Sequence, residues 1–345
     1  MRSTLGVVAA SQKSHGFYYV AQEISRTLGI PLVDPTADKL KYLTLFLTRP
    51  SFIISVGTLS PKKLIALSIA SKRVIAYIAV EGPFPIPNPL LWLANNTNRL
   101  FVVAPSNYVK RELSSSGLKV LGVIPHGINL NEVRPTNLKV DLPPDKLKIL
   151  TVAASLQRRK FLGIYYLLRA WSKLPQDIKK DSILILKVSS GTAKYISKLA
   201  ESLGFRSNEY MILDTHFTRD EIFTLYRSSD LYVHPTLSDG FGLPVIESLI
   251  CGTPVVVMNA EPWNEIVSKE VGWLVRVSKE VIEWEGNLPY RLKIPDLDDF
   301  SEKLINAIGY CKRDREILRE KCIAHAQAFD ARKLYKNFKK LIECV

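Results

Sequence analysis

Asp239 and Glu247, with seven residues between them, bracket the stretch of this sequence best suited to chemistry. Gly240 and Gly242 flank Phe241, leaving a loop with little side-chain bulk whose backbone N–H groups can approach a ligand closely. Pro244 suits the first turn of a helix, where its missing N–H costs nothing. Gly252 stops that helix before Thr253-Pro254 and a strand over 255–257. A glycine loop feeding a helix amino terminus is an anion site, since unpaired N–H groups and the helix dipole both favour negative charge. The acids on either side could accept hydrogen bonds from the hydroxyls of a sugar. Glu247 stands among Val245, Ile246, Leu249 and Ile250, so it is expected to be partly buried and to need partners. Taken alone, these features also fit a common Gly-x-Gly turn and a glutamate that merely complements a helix dipole.

Three cations, Arg158-Arg159-Lys160, follow a strand over 150–153. Placed at the mouth of a cleft they could neutralise a diphosphate; the other reading is a solvated charge run. Glu81 ends a strand and precedes Gly82-Pro83, which fits either a site acid or a polar strand end before a turn. Gly16 lies in Ser14-His15-Gly16-Phe17, between the first strand and the first helix. The cysteines Cys251, Cys311, Cys322 and Cys344 are scattered without a Cys-x-x-Cys pair, and read as reduced thiols. No Asp-x-Asp pair is placed as a convincing ion site.

Apolar runs alternate with helix-like segments, the pattern of parallel α/β sheets. Strands are expected over 5–10, 52–56, 74–80, 100–104 and 120–124, with helices over 17–28, 61–70 and 107–115. The segment 131–146, with Pro135, Pro143 and Pro144, reads as a linker. A second series follows: strands over 148–153, 183–188, 210–213, 231–233 and 254–257. Its helices are expected over 162–174, 193–203, 219–227 and 244–251. Helices over 297–311 and 314–342 close the chain. Two facing Rossmann-like domains with parallel sheets and a cleft between them are expected. The domains would be 1–140 and 146–320, with a helix over 321–345 packing back on the first.

The 345 residues, 47% hydrophobic and 23% charged, suit a two-domain globular protein with a sizeable core. No window offers the ~18 apolar residues of a membrane span, and the amino terminus shows no secretory pattern, which predicts a soluble cytoplasmic protein. The formal charge of +14 attracts anionic partners: phosphorylated small molecules, nucleic acid, or the inner face of an acidic membrane. A generally basic, soluble surface fits the same number.

The run Leu231-Tyr232-Val233-His234-Pro235-Thr236-Leu237-Ser238-Asp239-Gly240-Phe241-Gly242-Leu243-Pro244-Val245-Ile246-Glu247, continued by Cys251-Gly252-Thr253-Pro254-Val255-Val256, closely resembles the signature of family 4 retaining glycosyltransferases. That resemblance implies a GT-B architecture and transfer of a sugar from a nucleotide-sugar donor with retention of configuration. It implies no cofactor and no essential metal. It places Asp239, where the family has glutamate, on the donor sugar, and Glu247 on the ribose hydroxyls. It puts Lys160 on the lysine of a Gly-Arg-Leu-x-x-x-Lys-Gly phosphate motif and Ser155 on its arginine, with Arg158 or Arg159 as replacement. It puts the diphosphate on the amides of Gly240, Phe241, Gly242 and Leu243, and brings Gly16 and Glu81 towards the donor phosphates, transferred sugar or acceptor. Pro125-His126-Gly127-Ile128-Asn129 and the serine cap Ser106 match structural segments of the family, as does Glu265. The acceptor would be a sugar, lipid-linked glycan or protein. A nucleic-acid-modifying glycosyltransferase and an inactive scaffold of the same fold are the alternatives.

Overall fold

The computed structural model describes residues 6–10, 15–34, 37–133, 140–153 and 158–344. The chain divides into two units: Met1–Asn129 with Trp284–Tyr290 and Phe329–Val345, and Leu130–Glu283 with Arg291–Ala328.

Unit 1 alternates β1 (Gly6–Ala9), α1 (His15–Leu28), β2 (Leu32–Val33), α2 (Lys39–Thr48), β3 (Phe52–Thr58), α3 (Pro61–Ala70), β4 (Val74–Ala79), α4 (Asn88–Asn96), β5 (Leu100–Ala104), α5 (Asn107–Ser115) and β6 (Val120–Val123). The strands form one parallel sheet in the order β2-β1-β3-β4-β5-β6. Every residue of β4 is buried, as expected of a parallel strand covered on both faces. Right-handed crossovers put α1 on one face of this sheet and α2 to α5 on the other, because the strand order reverses at β1. Ser106 caps α5 through a bond from the Val109 amide.

Unit 2 begins with β7 (Leu147–Ala153), α6 (Arg158–Ser172), α7 (Gln176–Asp181), β8 (Ser182–Val188), α8 (Ala193–Ser202), β9 (Tyr210–Leu213) and α9 (Arg219–Arg227). It continues with β10 (Leu231–Val233), α10 (Leu243–Ile250), β11 (Val255–Met258), a 3-10 turn at Trp263–Glu265 and β12 (Gly272–Val275). Its parallel sheet runs β12-β11-β10-β7-β8-β9. A hairpin of β13 (Val277–Glu285) and β14 (Leu288–Pro295) precedes α11 (Leu297–Ala326), capped by Asp296 and kinked at Asp314. The short α12 (Ala331–Leu334) and α13 (Asn337–Cys344) then return to unit 1.

Three sequence expectations change here. The hairpin over 277–295 was not expected, and the helix over 314–342 is broken. Asp330 stops it by capping α12 with a bond from the Arg332 amide, and its neighbourhood bridges to Ile128. Helix α6 begins at Arg158 rather than 162, so the three cations stand in its first turn. The strand over 5–10 is seen as Gly6–Ala9, and Pro135 of the linker lies outside the described residues.

His126 is buried in unit 1, its Nδ1 2.8 Å from the Tyr77 hydroxyl. Gly127 packs against Ala331 so tightly that a Cβ there would sit 2.5 Å from the Ala331 Cα, and its amide donates to the Tyr335 hydroxyl. This segment therefore anchors the carboxyl-terminal helices by close backbone contact. None of the described helices is long and apolar enough to cross a membrane.

Cys251, Cys311 and Cys322 are buried, and burial pushes each thiol up to about 12, whereas Cys344 is exposed. Since the thiolate is the reactive form, mild alkylation of native protein at pH 8 should label Cys344 alone. Peptide mass mapping checks this, and all four should label in denaturant.

Candidate functional site

The order of the unit 2 sheet reverses between β7 and β10: β8 and β9 follow on one side, β11 and β12 on the other. In open parallel sheets the crevice at such a switch point, outside the carboxyl ends of the strands, is where ligands bind. The two connections leaving these strands are the ones the sequence singled out. One feeds α6 and its basic first turn; the other is the 234–242 loop that feeds α10.

Their proximity rests on a glycine. A Cβ at Gly163 would lie 2.2 Å from the Pro235 carbonyl oxygen, so the second turn of α6 presses directly on the backbone of the loop. Arg158 lies five residues earlier, about 7.5 Å along the helix axis at 1.5 Å per residue. Three basic residues at a helix amino terminus oppose the helix dipole, a cost that a bound anion relieves. The side chains of Arg158, Arg159 and Lys160, and the whole of Ser155, lie outside the described residues.

The loop is supported from below by aromatic packing. Tyr226 and Tyr232 meet edge to face at 5.2 Å, and the Tyr232 hydroxyl lies 2.8 Å from His234 Nδ1. Burial pushes both tyrosine hydroxyls well above their usual range, so they stay protonated as hydrogen-bonding groups. His234 Nε2 stands 3.6 Å from Asp239 Oδ2, and Trp263 meets the imidazole edge to face at 5.9 Å. Lys293, buried on β14, holds the loop by donating its backbone N–H to the Leu237 carbonyl at 2.8 Å, and its Nζ lies over the Trp263 ring at 5.5 Å. His234, Trp263 and Lys293 were missed by sequence reasoning. The signal for His234 was available in its two-residue spacing from Tyr232, which puts both on one face of β10 and its extension.

Asp239 bends back on its own loop: its Oδ1 accepts the Phe241 amide at 3.1 Å. The expected set of amides therefore changes, because Phe241 N–H is engaged by Asp239 in this conformation. Helix α10 starts at Leu243, one residue earlier than expected, so Pro244 is its second residue and contributes no N–H. Val245 N–H is taken by the Gly242 carbonyl. The amides of Gly242 and Leu243 meet no acceptor among the described residues, and Gly242 holds a left-handed φ of 107° that favours glycine.

Glu247, on the second turn of α10, is 15% exposed and accepts a bond from Arg219 Nη1 at 3.2 Å. Arg219 opens α9 behind a capping box formed by Thr218 and Glu221. Its guanidinium covers the Phe223 ring at 4.7 Å and reaches Glu132 at 3.8 Å. The partner that a semi-buried glutamate demanded is thus Arg219, which the sequence did not single out.

The other expected site residues belong to unit 1. Glu81 is half-buried just beyond β4, and Gly16 is exposed as the second residue of α1 rather than part of a loop. Glu265 is exposed on its 3-10 turn.

Residues 133–304 match the family described as Glycosyl transferases group 1. An uncharacterized glycosyltransferase of Sulfolobus islandicus rod-shaped virus 1 is 27% identical over 252 residues, covering 68% of this chain and 70% of the viral protein. The serotype-specific mannosyltransferase WbdA of Escherichia coli is 33% identical over 122 residues, 35% of this chain but only 14% of that much longer protein. Among solved structures, Anabaena HepE in complex with UDP and glucose aligns over 99% of this chain and all of its own, with a TM-score of 0.70 at 18% identity. Two parallel six-stranded sheets and the alignment with HepE show a GT-B fold, and the second sheet lies within the stretch that matches a glycosyltransferase family.

Proposed function

We propose that the chain transfers a sugar from a nucleotide-sugar donor, held by unit 2 at the β7–β10 switch point, to an acceptor hydroxyl with retention of configuration. The observation that carries this reading is the Glu247–Arg219 pair beside the Gly242 and Leu243 amides. It offers a fixed carboxylate for a diol next to N–H groups for an anion. Glu247 accepts the ribose hydroxyls, and Arg219 holds it in orientation through the bond from its Nη1. The two amides and the basic first turn of α6 take the diphosphate. Positive charge there stabilises the leaving group, so the anomeric carbon can develop oxocarbenium character without a metal. Asp239 exchanges its bond with the Phe241 amide for the donor sugar, which returns that amide to the anion. Unit 1, with Glu81 beyond β4, receives the acceptor. The UDP and glucose bound by the structurally similar HepE support a donor of this class.

The test is turnover of a panel of UDP-, GDP- and ADP-sugars in EDTA, with the anomeric proton coupling of the product read by NMR. One donor class should be consumed, and its product should keep the donor's anomeric configuration. No consumption of any donor, or an inverted product, contradicts the proposal.

A further inference from the structure

Charge is divided very unevenly between the two units. Unit 1 holds 19 lysines and arginines against 8 acids, whereas unit 2 is nearly balanced at 28 against 25. Most of the +14 therefore resides in unit 1. Within it, residues 37–123, which contain the α2 to α5 layer, hold eleven cations and three acids.

The same layer exposes apolar side chains that a water-facing helix does not need. Helix α2 turns Leu45 into the core, yet Leu40, Leu43 and Leu47 stand 78%, 58% and 85% exposed. At 100° per residue these three leucines fall within about 60° of one another, a single stripe opposite Leu45. Lys39 and Lys41 lie about 100° to either side of Leu40, with Lys41 paired to the capping Asp38 at 3.0 Å. Helix α2 thus presents leucine both to the core and away from it. Helices α3 and α4 of the same layer add Ile69 and Trp92, 62% and 63% exposed.

We infer that the α2 face of unit 1 docks on an anionic lipid surface, with Leu40, Leu43 and Leu47 entering the interface and the flanking lysines meeting acidic headgroups. Leucine stripes rimmed by lysine are the composition of helices that lie in a bilayer interface, and the excess positive charge of the unit supplies long-range attraction to acidic lipid. A second copy of the chain is disfavoured as occupant, because two such basic faces repel one another. Nucleic acid would use the charge but leaves the leucine stripe without a role. The inference does not rest on the donor site in unit 2, and its test needs no turnover.

The experiment is flotation of the full chain with vesicles of phosphatidylcholine alone or with 30% phosphatidylglycerol at two salt concentrations. The comparison is with Leu40→Ser/Leu43→Ser/Leu47→Ser and, separately, Lys39→Glu. Because these side chains are exposed, circular dichroism and the urea midpoint should match the parent, and a triple variant that unfolds is replaced by Leu47→Ser alone. Binding should require the acidic lipid and weaken with salt. It should fall at least tenfold in the leucine variant and several-fold in Lys39→Glu. The inference is overturned if the parent ignores acidic vesicles, if the leucine variant floats as well as the parent, or if the parent binds only duplex DNA. Sedimentation equilibrium showing a dimer that the leucine variant dissolves would also overturn it.

Discussion

Glu247→Ala should lower kcat/KM for the nucleotide sugar by about 100- to 1,000-fold with little change in the urea midpoint. Hydrogen bonds to a charged acceptor contribute ~1.5–3 kcal/mol each, and a ribose offers two hydroxyls to one carboxylate. The fold should tolerate the change because Glu247 sits at the rim of the core, 15% exposed, and Arg219 keeps Glu132 within 3.8 Å. Arg219→Ala should act through Glu247: the carboxylate loses the bond at 3.2 Å that orients it. Steady-state kinetics of both variants and of the double variant check this. If Arg219 works by positioning Glu247, the two losses will be far from additive. A Glu247→Ala enzyme within a few-fold of the parent would remove the acid from the site.

Gly163→Ala should destabilise the protein by about 3 kcal/mol and depress turnover as well. The added Cβ would sit 2.2 Å from the Pro235 carbonyl oxygen and 2.9 Å from its carbon, so backbone rather than a pliable side chain must move. Overpacking of this kind costs about 1–3 kcal/mol, occasionally more. It would also push the 235–242 loop away from α6, separating the two connections proposed to hold the diphosphate. Gly309 in α11 is the control, because a Cβ there meets only Arg313 Nη1 at 3.8 Å. Gly309→Ala should stabilise by up to about 1 kcal/mol through helix propensity. Urea unfolding reads both signs, and equal effects at the two glycines would contradict the tight α6–loop contact.

The buried parallel strands were legible because each is a continuous apolar run bounded by turn residues; β3, β4, β5, β8 and β10 fall within two residues of their expected ends at every boundary. The hairpin was not. Its first strand, Val277–Glu285, carries mostly exposed polar residues, and although Leu288, Tyr290, Leu292 and Ile294 alternate in the second, Pro289 and Pro295 within it argue against a strand. The loop and the acids of the site were visible as local chemistry, since glycines, proline and carboxylates lie within nine residues. Arg219 was invisible for the opposite reason: it is 28 residues from Glu247 and meets it only through packing of α9 on α10. The buried Lys293 is likewise brought to the loop by a strand that sequence reasoning did not find. Local spacing reveals what one turn of chain can assemble; the supporting groups come from the sheet order.

Hydrogen exchange of the full chain, measured with and without saturating nucleotide sugar, tests most directly whether the donor sits at the switch point of unit 2. Peptides covering 238–250 and the start of α6 should gain protection, led by the Gly242 and Leu243 amides, while α5 peptides over 107–115 stay unchanged. Protection confined to other segments, or none there under a donor that the protein demonstrably consumes, would contradict the assignment of the Asp239–Glu247 stretch as the donor site.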